Sequence, residues 1–157
     1  MPPKPFIADR FPADTPSGRF AIVISGDGLK TSLADALSER LATRGIGVAR
    51  SRAISYFWTA RSPKAMSRDL RQALRRRLKA RPDDRFLLIG YSFGAGTLPF
   101  AVNRLPADLL ARIDRVVLMA PPETSDFEFF FRSWFNRSSN KAQPTAPEIQ
   151  TLSESVP

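Results

Sequence analysis

The residues of this 157-residue chain best suited to chemistry are Gly90-Tyr91-Ser92-Phe93-Gly94. An apolar run, "RFLLIG" (85–90), leads into them, and Ala95 and Gly96 follow. A serine with glycine two residues to either side, set between a strand and a helix, is how a nucleophile is mounted on a sharp turn. A Cβ at Gly90 or Gly94 would collide with neighbouring backbone, so glycine is required at both. Ser92 then lifts its Oγ above the sheet, placed to attack a carbonyl carbon. The backbone N–H of Phe93, at the start of the next helix, faces the oxyanion that would form. A second donor belongs to the loop after the first strand, where "SGDG" (25–28) supplies Asp27 and Gly28. The same four residues also suit a plain tight turn. Tyr56, Trp58, Tyr91 and Asp126 are candidates to line a pocket.

This hydroxyl lacks its usual partner, because the chain contains no histidine. Serine is a poor nucleophile at neutral pH without a positioned base. Removing that base from a serine hydrolase costs on the order of 10⁶ in turnover. Lys30 could act as base only with a strongly depressed pKa and direct contact with Ser92; a solvated surface lysine is the simpler reading. Asp126 has no imidazole to orient and reads as a helix cap or loop anchor. Without cysteine there is neither a disulfide nor a thiolate metal site. The site calls for no metal and no cofactor.

The elements that would position Ser92 are readable. "RFAIVIS" (19–25) is a continuous apolar run closed by Gly26, as expected of a buried parallel strand. Residues 29–45 place Leu33, Ala36, Leu37 and Leu41 on one helical face, stopping at Gly45. Residues 46–58 begin as a second strand and become a loop holding Tyr56, Phe57 and Trp58. Ser62 and Pro63 open a helix over 62–82 with an apolar stripe at Met66, Leu70, Ala73, Leu74 and Leu78. The third strand is 85–90, helices follow at 94–103 and 106–113, and "RVVLMAP" (115–121) is the fourth strand. Strands alternating with helices through short loops predict an α/β fold with a parallel sheet covered on both faces. Residues 1–18 read as a Pro-rich extension, 19–135 as the domain, and 136–157 as a polar, flexible tail.

The net charge is +9, from 24 Lys and Arg against 15 Asp and Glu. That favours anionic partners, although charge alone is weak evidence. The helix "RDLRQALRRRLKAR" could lie on an anionic bilayer, but its apolar stripe must cover the sheet, which leaves the arginines solvated. No aromatics interleave with them, which argues against nucleic acid. No segment approaches the ~18 apolar residues of a membrane span. "MPPKPFIADRF" lacks the apolar core of an export signal, so the chain as written is expected in the cytoplasm.

Four groups of residues together resemble the VirJ/AcvB bacterial virulence proteins. They are "SGDG" (25–28), "YFWTARSP" (56–63), "GYSFGAG" (90–96) with "LPFAVNRLP" (98–106), and "DFEF" (126–129) with Trp134. The resemblance implies a three-layer α/β-hydrolase fold, shortened to about four strands and lacking the last ones. It also implies periplasmic location and hydrolysis of lysyl-phosphatidylglycerol, an aminoacylated anionic lipid. By that resemblance Ser92 matches the nucleophile, and Asp27 and Phe93 the oxyanion region. Family members carry Asp at the position of Gly96, Gly-Trp at Leu29-Lys30 and His at Phe130. They continue into strands bearing the acid and the histidine, so the chain is expected to be truncated and inactive alone. The alternative is a non-catalytic hydrolase-like domain that binds anionic lipid or a partner protein. The aromatic segment 127–135 reads as a lid over Ser92, or as core left exposed and prone to aggregate.

Overall fold

The computed structural model describes residues 4–26, 32–127 and 142–156. Its centre is a five-stranded sheet. The strands are β1 (Asp9–Phe11), β2 (Arg19–Ile24), β3 (Gly47–Ser51), β4 (Arg85–Tyr91) and β5 (Ile113–Met119), in spatial order β1-β3-β2-β4-β5. The last four in that order run parallel, and β1 lies antiparallel on β3. The parallel α/β architecture expected from the sequence is therefore present.

Alternation along the strands divides the core into two layers. Ile22 and Ile24 of β2 and Phe86 and Leu88 of β4 face one side. There they meet α3 (Pro63–Ala80) and α4 (Phe93–Val102) through Met66, Leu70, Leu74, Leu98 and Phe100. Ala21, Val23, Val48 and Ile89 face the other side, under Leu37 and Leu41 of α1 (Ser32–Thr43). The start of α3 is locally encoded: Ser62 Oγ accepts the Ala65 N–H at 3.0 Å, with Pro63 in the first turn. The fourth strand begins earlier than expected, because Ile113 is already buried in the sheet.

Three segments differ from expectation. The Pro-rich N-terminus is tied to the domain: Phe6 is buried edge-on against Tyr56, and β1 adds to the sheet edge. The cause is electrostatic. Asp9 Oδ2 accepts from Arg50 Nη2 at 2.7 Å and from Arg52 Nε at 2.8 Å. Arg50, only 3% exposed, also pairs with Asp35 of α1, so one buried guanidinium joins β1, β3 and α1.

The aromatic loop contains a short helix, α2 (Ala53–Tyr56), and Tyr56 and Phe57 are core residues. The polar tail also folds in part. After α5 (Ala107–Leu110), strands β6 (Thr124–Ser125) and β7 (Gln143–Pro144) pair antiparallel and lead into α6 (Ala146–Ser155). Leu152 and Val156 are buried in the main cluster. Asn103 Nδ2 donates to the Glu148 backbone carbonyl at 2.8 Å, and Arg104 pairs with the Glu148 carboxylate. These contacts hold α6 against α4.

The chain passes from β2 through α1 to β3 on one side, then from β3 through α3 back across β2 to β4. The sheet therefore reverses its winding between β2 and β4. A crevice opens at the carboxyl ends of neighbouring parallel strands at such a reversal, and ligands of open α/β sheets bind there.

Candidate active site

Ser92 stands at this reversal. β4 ends at Tyr91, α4 begins at Phe93, and Ser92 between them has φ 52° and ψ −116°. That backbone is strained for any residue bearing a Cβ. Two hydrogen bonds hold it. The Ser92 N–H donates to the Met119 carbonyl of β5 at 2.8 Å, and the Gly96 N–H donates to the Ser92 carbonyl at 3.0 Å.

The two glycines leave no room for side chains. A Cβ on Gly90 would lie 2.7 Å from the Gly94 carbonyl oxygen. One on Gly94 would run into the Ile24 carbonyl of β2. The close approach of α4 to β2 thus depends on a bare Cα at residue 94.

Gly26, which follows β2 and belongs to the "SGDG" loop, packs directly on the turn. A Cβ there would meet the Tyr91 ring at 3.0 Å and Ser92 Cβ at 3.1 Å. The end of β2 therefore presses directly on the turn. Ala120, just past β5, has φ 51°, a second strained residue at the same sheet edge. Alanine carries no sequence signal for such a backbone. Gly96 also reads differently in three dimensions: a Cβ would sit 2.5 Å from Ser125 Oγ and 2.7 Å from Pro122 Cγ. This chain has no space for the carboxylate that the resemblance places there.

The other candidates differ in their surroundings. Phe93 is half-buried with its ring 5.0 Å from that of Phe57. Tyr91 is exposed beside Ser92, Asp126 is half-buried, and Trp58 is exposed. Tyr56 is a core residue rather than a pocket wall: it is 1% exposed and donates its hydroxyl to Asp69 Oδ2 at 2.7 Å. Burial pushes its phenol well above the usual range, and the Asp69 carboxylate adds to this, so it stays protonated. Asp27, Gly28 and Lys30 lie outside the described residues, as do Phe130, Trp134 and most of the aromatic segment. Its first ring, Phe127, is buried against Phe57 and Phe100.

Among the described residues no cluster of acidic side chains could hold a metal ion. No helix among them is long and apolar enough to cross a membrane. A hydroxyl at the start of a helix suits acyl transfer, provided a base is supplied.

Known proteins agree with this architecture. A carboxyl esterase from Bacillus coagulans superposes with TM-score 0.54 at 14% identity, over 68% of this chain and 37% of its own. A serine hydrolase without a lid from Xanthomonas campestris gives 0.50 at 23% identity, over 92% of this chain and 59% of its own. A monoglyceride lipase variant from Saccharomyces cerevisiae gives 0.51 at 18% identity, over 68% and 38%. At these identities the likeness concerns the fold alone, and the chain spans less than two thirds of each. No curated protein matches the sequence. The profile of the bacterial virulence protein VirJ matches residues 18–156. With that match over most of its length, on an α/β-hydrolase sheet, the chain belongs to the VirJ family.

Proposed function

We propose that Ser92 is the nucleophile of a serine ester hydrolase whose substrate is the aminoacyl ester of an anionic lipid of the lysyl-phosphatidylglycerol type. The observation that carries this is the strained Ser92 backbone at the winding reversal, flanked by two glycines that admit no Cβ. Family membership supports the substrate class.

In the reaction, Ser92 Oγ attacks the ester carbonyl carbon as a base takes its proton. The Phe93 N–H and the loop at Asp27 and Gly28 stabilise the oxyanion. The lipid hydroxyl departs with the proton, leaving an aminoacyl-serine. Water then releases the amino acid and restores Ser92. No imidazole exists in these 157 residues, so in this reading the base is either Lys30 or a group supplied to the chain. That same absence favours a second reading, a non-catalytic hydrolase-like domain that binds an anionic lipid or partner protein.

A fluorophosphonate probe separates the two. Covalent labelling that disappears in Ser92→Ala supports a competent nucleophile. No labelling of a folded chain, even with imidazole added as an external base, favours the binding domain.

A further inference from the structure

A cleft of about 780 Å³ opens between the N-terminal segment and α3, lined by residues remote in sequence from Ser92. Its origin lies in side-chain size. Asp9 and Phe11 of β1 both meet Arg50, the residue that reaches over to α1. Alternation therefore turns Arg10 toward the α3 side. Its register partner is Ala49, and α3 presents Ala73 to the same space. Two alanines leave unfilled a volume that larger side chains would occupy. Phe6, Ile7, Phe20 and Ile22 complete the apolar lining, all part of the main cluster or packed on it.

The cleft also carries charge. Two of its cations are neutralised: Arg77 pairs with Asp84 at 2.6 Å, and Arg61 lies 3.7 Å from Asp69. Asp69 also accepts the Tyr56 hydroxyl. Lys4, Arg10 and Arg76 line the same cleft with no acidic partner among the described residues. An apolar interior under uncompensated cations is complementary to an alkyl chain ending in an anion. The volume falls in the range of small-molecule sites, about 300–1,000 Å³.

We propose that this cleft binds one long-chain fatty acid, its alkyl chain against Phe6, Phe20 and Ile22 and its carboxylate held by Arg10 and Arg76. This site is independent of Ser92 and of the reaction proposed there.

The test is calorimetric titration of the full chain with sodium laurate below its micelle-forming concentration. Saturable binding of one laurate per chain is expected, unchanged in Ser92→Ala. The double variant R10E/R76E, altered only at exposed positions, should weaken it about tenfold or more. Ala73→Trp, which fills the cleft, should abolish it. If circular dichroism shows that variant unfolded, the charge-reversal pair decides. Equal affinity for dodecyltrimethylammonium would overturn the proposal, as would undiminished binding by R10E/R76E. Adhesion to phosphatidylglycerol vesicles without binding of monomeric laurate would overturn it too, in favour of a membrane-contacting surface.

Discussion

The backbone at Ser92 can be tested without any catalysis, by comparing Ser92→Ala with Ser92→Gly. Both variants remove the hydroxyl and its interactions, so they differ only in the Cβ. At φ 52° and ψ −116° a residue with a Cβ carries strain of about 1–3 kcal/mol. Glycine adopts this backbone freely but loses about 0.5–1 kcal/mol more conformational entropy on folding than alanine. The net expectation is that the glycine variant is the more stable by about 1 kcal/mol. In a chain of this size that is a rise in melting temperature of about 2–4 °C. Calorimetry and urea unfolding at pH 7 would measure it, with equal urea slopes confirming that both variants unfold from comparable native states. An alanine variant equal to or more stable than the glycine one would show that the turn is relaxed. The case for a strained, presented hydroxyl would then fall.

Two further outcomes follow from the packing and the charges. Leu152→Ala should lower stability by about 2–4 kcal/mol, because Leu152 is buried between α6 and the core; a shift below 0.5 kcal/mol in the urea series would show that α6 contributes nothing to the domain. Asp9 is held below its ordinary value of 3.8 by hydrogen bonds from Arg52 and Arg50 and by their charges. Its contribution is complete above that value and is lost as pH falls through the lowered one. Asp9→Asn should therefore cost about 1–2 kcal/mol at pH 7. The gap to the parent chain should close toward pH 2, as read from melting temperatures across that range.

The parallel sheet was legible because buried strands carry unbroken apolar runs such as residues 20–24, and because Ser62 and Pro63 announce α3 within a few residues. β1 was not, since nothing within Asp9–Phe11 fixes it. Its partners Arg50 and Arg52 stand 41 and 43 residues away. The helix at 146–155 was visible in principle through Ile149, Leu152 and Val156, which share a helical face. The surrounding Ser, Pro and Gln residues masked that stripe, and Asn103 and Arg104 supply ties that no local pattern reveals. At the site, Gly90 and Gly94 advertise the turn. The part played by Gly26 and the backbone of Ala120 arise only when three strand ends converge.

Helix α4 is buried at every residue from Gly94 to Val102, so it has no wet side from which to fray. Amide exchange in such a segment proceeds only when the whole domain opens. The Gly96 amide, which closes the bend on Ser92, should thus exchange as slowly as the slowest amides of β4. A molecule arriving at the serine meets a stiff mould and must itself do the adapting.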